Sequence, residues 1–171
     1  MVSLCVKTGT DFGVVGITKG SDVMQPGESI AFAEVGTMAR IVDFDVPQAG
    51  LMNIRCVGTN RFRIHRCEQR KDGLWVGDVE TIADDQLMPL QPDLQKPVEA
   101  LGELIAVLKT QGISEQEMPV LPPYRFDDCG WVANRWCEIL PISMQQKQNL
   151  LELDSPLVRL ELVNDMFMST N

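Results

Sequence analysis

The chain has 171 residues, 44% hydrophobic and 23% charged, the balance of an ordinary globular protein that buries roughly two-thirds of its unfolded surface and needs no disulfide staples. No apolar run approaches the roughly 18 residues of a membrane span, and Met1-Val2-Ser3-Leu4-Cys5 has neither the basic start nor the long apolar stretch of a secretory leader, so the cytoplasm is the expected compartment. The net charge is −9. It divides into −3 for residues 1–90 (9 basic, 12 acidic) and −6 for residues 91–171 (6 basic, 12 acidic), a balance that disfavours nucleic-acid backbones and anionic membranes.

Residues 1–8 read as the tail of a helix or an extended lead-in ending at Gly9. Phe12 to Thr18 is one apolar run interrupted by Gly13 and Gly16, suited to a buried strand with close backbone approach. Ser21 to Glu28 is polar and contains Pro26-Gly27, a turn signal. Ile30 to Val35 and Thr37 to Asp43 read as two strands around Gly36, and Pro47-Gln48-Ala49-Gly50 as a turn. Leu51 to Val57 alternates like a half-buried strand. A further strand, Arg61 to Cys67, sets Arg61, Arg63 and His65 against Phe62, Ile64 and Arg66. Lys71-Asp72-Gly73 is a hairpin turn leading to Leu74–Glu80. Short strands at this spacing predict a barrel or sandwich rather than βαβ units.

Composition shifts at Met88-Pro89-Leu90-Gln91-Pro92 and again at Pro97, which marks a linker. The apolar period then becomes helical. Val98, Leu101, Leu104, Ile105 and Leu108 recur at three and four residues, and Gly112 sits where a terminating glycine belongs. Asp128 is placed to cap a helix carrying Trp131, Val132, Trp136, Ile139 and Leu140, stopped at Pro141. Ser143 and Gln146 are spaced as a capping box for Met144 to Leu153. Pro156 opens a last helix through Leu157, Leu160, Leu162, Val163 and Met166. The sequence therefore predicts an α+β fold, with a β-rich unit over residues 1–90 followed by a helical bundle over residues 91–171.

No catalytic constellation is legible. His65 is the only histidine, which excludes a two-histidine metal site or a histidine-based triad within one chain. Cys5, Cys56, Cys67, Cys129 and Cys137 are odd in number and form no Cys-x-x-Cys pair, so they read as reduced, mostly buried thiols. The neighbouring carboxylates Asp84-Asp85 and Asp127-Asp128 diverge in direction as adjacent residues do, and Asp128 has a capping role available. No metal and no cofactor is expected.

Three features remain as candidate contacts. Arg61, Arg63, Arg66, Arg70 and Lys71 form a basic cluster on one hairpin; the alternatives are a nucleic-acid or acidic-peptide surface and a solvated face with Arg66 and Arg70 paired to Glu68 and Asp72. Leu121-Pro122-Pro123-Tyr124-Arg125-Phe126 is an apolar-aromatic loop in which Tyr124 and Phe126 suit partner anchors, weighed against a loop tucked onto the bundle. Nine methionines suit either a surface accepting varied apolar peptides or core gap-filling. From these, Met118, Leu121, Tyr124 and Phe126 are the expected peptide-binding residues.

Two blocks carry a family resemblance. The first is Phe12-Gly13-Val14-Val15 followed by the glycine-bounded pieces Val35-Gly36-Thr37-Met38-Ala39-Arg40-Ile41, Gly50-Leu51-Met52-Asn53-Ile54 and Gly58-Thr59-Asn60-Arg61-Phe62-Arg63-Ile64. The second runs from Trp131-Val132-Ala133-Asn134-Arg135-Trp136 through Leu140-Pro141 and Lys147-Gln148-Asn149-Leu150-Leu151-Glu152 to Arg159-Leu160. In order and spacing, nearly the whole chain resembles the N-terminal substrate-recognition domain of the ATP-dependent Lon proteases, which also occurs as a free-standing protein. The resemblance implies a PUA-like pseudobarrel for the β-rich unit. It also implies that Met1–Thr8 is the end of the family's first helix, with the preceding strands, of the type Leu-Pro-Leu-Phe-Pro-Leu, missing and a sheet edge left open.

No G-x-x-x-x-G-K-[ST] run and no serine-lysine motif is present. The implied function is recognition without hydrolysis: a non-catalytic module binding unfolded polypeptide, or a protease or chaperone partner. The alternative is RNA binding through the basic hairpin, because barrels of this type resemble RNA-binding PUA domains. The acidic balance and the lack of interleaved aromatic residues weigh against it.

Overall fold

The computed structural model describes residues 1–21, 29–114 and 117–169. The Pro26-Gly27 turn expected from sequence lies outside the described residues. The chain forms two compact units, Met1–Asp84 and Asp85–Asn171. This division falls ahead of the linker read from composition. Met88 and Leu90 pack on the helical core, the Cys129 amide donates to the Met88 carbonyl at 3.1 Å, and Pro89 bridges to Asp128, which assigns the proline-rich stretch to the second unit.

The first unit opens on helix α1 (Val2–Thr8), which ends at Gly9 in the left-handed region, φ 66°. Strands β1 (Phe12–Val14), β2 (Ile17–Lys19), β3 (Ala31–Phe32), β4 (Val35–Gln48), β5 (Leu51–Gln69) and β6 (Trp75–Thr81) follow. They make an antiparallel four-stranded sheet in the order β1-β4-β5-β6 and a separate β2-β3 pair. The single strand expected over Phe12–Thr18 is thus two strands in different sheets. The break is at Val15-Gly16, where the Gly16 carbonyl accepts from Ala33 at 2.8 Å.

Gly36 and Gly58 do not divide strands as the sequence predicted. β4 runs unbroken through Gly36 and β5 through Gly58. Gly36 is inside the strand because Phe62, its partner in the register, lays its ring over it. A Cβ at Gly36 would meet Phe62 Cζ at 2.5 Å and the Val14 carbonyl oxygen at 2.6 Å. The same ring covers Gly13, at 2.9 Å from an added Cβ. Phe62, buried with Val35, Ala33 and Ala39, therefore joins β1, β4 and β5 through two missing side chains.

Asp11 makes a second link across these strands. It accepts from Arg40 Nε at 2.9 Å, from Arg40 Nη2 at 3.2 Å and from Thr59 Oγ1 at 3.1 Å. The hydrogen bond from the Arg40 guanidinium holds its carboxyl below the usual carboxylate range. Because the folded-state pKa is depressed, the stability from this group is present above the unfolded pKa and is lost as pH falls through the folded value. We expect the unfolding midpoint of wild type to fall more steeply on acidification than that of Asp11→Asn; equal slopes in pH-dependent urea titrations would refute this.

The second unit contains a 3-10 turn (Pro92–Leu94) and helices α2 (Gln95–Thr110), α3 (Cys129–Ile139), α4 (Met144–Glu152) and α5 (Pro156–Ser169). Their limits follow local chemistry. Gly112 after α2 has φ 74°. Asp128 caps α3, accepting from the Gly130 amide at 3.0 Å, a contact of a type worth about 1 kcal/mol. Ser143 and Gln146 form a reciprocal capping box at α4. The core gathers Leu94, Leu101, Ile105, Met118, Val120, Cys129, Val132, Ala133, Trp136, Leu160 and Val163. Trp136 donates from Nε1 to the Pro97 carbonyl at 2.7 Å and meets Phe167 edge to face at 4.6 Å, so its one polar atom is satisfied inside the core.

Arg159 is the largest fully buried side chain, 1% exposed. It donates from Nη1 to Asp85 Oδ2 at 2.6 Å and to Asn134 Oδ1 at 2.9 Å. Its Nε reaches the Leu150 carbonyl at 3.1 Å and its Nη2 the Leu153 carbonyl at 2.5 Å. These carbonyls belong to the last turn of α4 and its C-cap, where the regular i to i−4 hydrogen bonds of the helix run out. One planar guanidinium thus ties the start of the unit, α3, the end of α4 and α5 together.

Candidate functional site

The expected peptide-binding residues lie at one corner of the helical unit. Tyr124, Phe126 and Trp131 form an aromatic triangle, with ring centroids 5.8 Å (Tyr124–Phe126), 6.3 Å (Tyr124–Trp131) and 5.6 Å (Phe126–Trp131) apart. Lys109 Nζ sits 4.6 Å from the Tyr124 centroid, a cation–π contact. Tyr124, Phe126 and Leu121 are half-buried, while Met118 is buried in the core. Met118 therefore supports this corner from within and presents no surface of its own. Arg125 is ion-paired to Asp128.

The basic hairpin is β5 with β6. Its cations meet carboxylates: Arg63 lies 3.7 Å from Glu34, Arg66 lies 3.6 Å from Glu68, and Arg70 lies 3.6 Å from Asp72. Arg61 is half-buried and Lys71 is exposed at the turn. Exposed pairs of this kind contribute little stability, but they cancel much of the positive field a phosphate backbone would sense. His65 Nε2 is 3.2 Å from Glu80. A shallow depression on the same hairpin is lined by Arg66, Cys67, Glu68, Val76, Gly77 and Asp78.

Neither carboxylate pair converges on a reacting centre: Asp85 binds Arg159 and Asp128 caps α3. Among the described residues, no three His, Cys, Asp or Glu side chains are grouped to hold a metal ion. Cys129 is buried, and burial pushes its thiol up to about 11; Cys137, half-buried, is likewise pushed up to about 11 by burial, so neither is a ready nucleophile. Cys56 and Cys67, expected inside with the others, are exposed, because they lie on a strand much longer than the core beneath it.

That excess length creates the surface that reading the sequence missed. β1 pairs with β4 only at Thr37–Ala39, and β6 pairs with β5 only from Phe62 to Gln69. The remaining part of the β4–β5 hairpin, up to the turn at Ala49-Gly50, is a two-stranded ribbon. Among the described residues it has no ladder neighbour on either side. The register sets Phe44 opposite Ile54, Asp43 opposite Arg55 and Asp45 opposite Asn53. Alternation therefore places Phe44, Val46, Met52 and Ile54 on one face and Asp43, Asp45, Asn53 and Arg55 on the other.

The apolar face is uncovered: Phe44 is 50% exposed, Val46 52%, Met52 41% and Ile54 39%. Leu51–Val57 is thus not the half-buried strand its alternation predicted. Scattered surface hydrophobics need no explanation, whereas a contiguous exposed set makes this ribbon a candidate interaction surface.

The α+β domain thus presents an exposed apolar ribbon on its β-rich unit. Residues 1–168 match the ATP-dependent protease La (LON) substrate-binding domain, and the chain belongs to that family. A Lon N-terminal domain protein from Xanthomonas campestris is 31% identical, with a TM-score of 0.70 over 96% of this chain and 80% of its own. The N-terminal domain of Mycobacterium avium complex Lon protease, at 14% identity and TM-score 0.50 over 90% of this chain and 89% of its own, shares the fold. No curated protein sequence matches the chain significantly. Among the described residues, no helix is long and apolar enough to cross a membrane.

Proposed function

We propose that this protein is a non-catalytic polypeptide-binding module whose principal contact is the apolar face of the β4–β5 ribbon. The observation that carries the reading is the uncovered set Phe44, Val46, Met52 and Ile54 on a domain of the substrate-binding family. Unfolded polypeptide is the ligand class that exposes matching apolar side chains together with unpaired backbone. The corner formed by Leu121, Tyr124 and Phe126 is the second contact in this reading, with a smaller share because its rings already pack on one another.

RNA is not a ligand in this reading; the carboxylates beside Arg63, Arg66 and Arg70 and the net charge of −9 support its exclusion. The module works in the cytoplasm, a compartment that suits exposed free thiols such as Cys56 and Cys67.

The test is fluorescence polarisation with a labelled, reduced and carboxymethylated polypeptide. Replacing Phe44 by serine removes an exposed anchor without opening the core, and we expect binding to weaken about tenfold, the equivalent of about 1.4 kcal/mol. Tyr124→Ser should weaken it less. An unchanged affinity in Phe44→Ser, or salt-sensitive RNA binding in place of polypeptide binding, would reject the assignment.

A further inference from the structure

The ribbon offers more than an apolar face. From Arg40 to Val46 the outer edge of β4 carries backbone N–H and C=O groups with no ladder partner among the described residues, and an open edge of this kind templates another strand. Pro47 closes the edge near the turn, since it has no N–H to offer. An isolated two-stranded ribbon is marginal in water and gains stability from a third strand.

Charge decides which strand fits. Arg40 is occupied by Asp11 through two hydrogen bonds. The polar face of the edge strand then presents Asp43 and Asp45, two residues apart and both exposed, while Val42, Phe44 and Val46 supply its apolar side chains. Arg55 lies opposite Asp43, but Asp45 faces only Asn53. A second copy of this chain is a poor occupant: antiparallel pairing of two β4 edges that stacks Phe44 on Phe44 sets Asp43 of one copy opposite Asp45 of the other, twice, and like charges directly opposite are destabilising.

We propose that the β4 edge binds an extended polypeptide segment by strand addition, and that it selects segments alternating apolar with basic residues. The basic side chains stand beside Asp43 and Asp45, the apolar ones beside Phe44 and Val46, and the new backbone ladder supplies affinity independent of sequence. This deepens the polypeptide-binding reading and rests on it.

The experiment uses the full chain and three labelled peptides: valine alternating with lysine, valine alternating with glutamate, and the lysine peptide N-methylated at every second amide. We expect the lysine peptide to bind about tenfold tighter than the glutamate peptide, from cross-strand charge pairs. N-methylation of the ladder-facing amides should abolish binding, and the Asp43→Lys/Asp45→Lys variant should reverse the preference. Equal affinity for all three peptides overturns strand addition. So does sedimentation as a dimer that dissociates in Phe44→Ser, because a second copy then occupies the edge. Binding of carboxymethylated polypeptide with no binding of any short peptide overturns this inference and leaves the broader reading standing. Failure of both ligands to bind removes the broader reading itself.

Discussion

Replacing Arg159 by methionine should destabilise the helical unit by about 3–5 kcal/mol, the range for breaking a buried ion pair by removing one partner. The side chain is 1% exposed and serves Asp85, Asn134 and the carbonyls of Leu150 and Leu153. Methionine matches much of its length but donates nothing. The carbonyls of Leu150 and Leu153 at the end of α4 then lose their guanidinium donor, and Asp85, 16% exposed, loses its Arg159 partner.

Lysine is not a conservative replacement here, because one ammonium cannot reproduce a planar fork aimed at four acceptors. Asp85→Asn should cost less than Arg159→Met, since an amide oxygen still accepts from the guanidinium. Urea denaturation followed by tryptophan fluorescence reads this directly, as Trp131 and Trp136 lie in the same unit. A loss below about 1 kcal/mol, the level of an exposed pair, would show that the guanidinium does not hold these elements together.

Gly36→Ala should be the most damaging single-methyl addition in the β-rich unit, at roughly 3 kcal/mol, the upper end of overpacking costs. The new Cβ meets two obstacles of different kinds. Phe62 Cζ, at 2.5 Å, belongs to a side chain that can turn, whereas the Val14 carbonyl oxygen, at 2.6 Å, is backbone of β1 and cannot retreat without disturbing its pairing with β4.

Gly13→Ala, whose three nearest contacts are all in the Phe62 ring, should therefore cost less. Adding Phe62→Leu to Gly36→Ala should recover only part of the loss, because the carbonyl clash persists. Full recovery in the double variant would mean that the ring alone sets the constraint. Neither glycine needs a left-handed backbone: among the described residues the positive φ values fall instead at Gly9, Gly20, Gly50, Gly73 and Gly112. The requirement at Gly13 and Gly36 is space, imposed by a residue on another strand.

The helical half was legible in detail because its signals are local. Asp128, the Ser143–Gln146 capping box, Pro156 and Gly112 act on groups within a few residues of themselves, and each stands where it was read. The α+β class and the family were legible for a related reason: spaced glycines and the change of apolar period near residue 90 are properties of order along the chain.

Reading failed where an outcome depends on a distant partner. Gly36 and Gly58 looked like strand breaks and are strand interiors, because what a glycine accommodates is set by Phe62 or Thr37 across the sheet. Arg159 stands out in the sequence only as the end of the family-like block, since nothing near it foretells that Asp85, 74 residues away, will meet it. Tyr124 and Phe126 stand out in the sequence as candidate anchors, but their packing against Trp131 arises from a helix that begins after them. The alternation in Leu51–Val57 specifies two faces and not which of them is covered. Coverage depends on how far β1 and β6 reach along β4 and β5, and both stop short of the apolar ribbon.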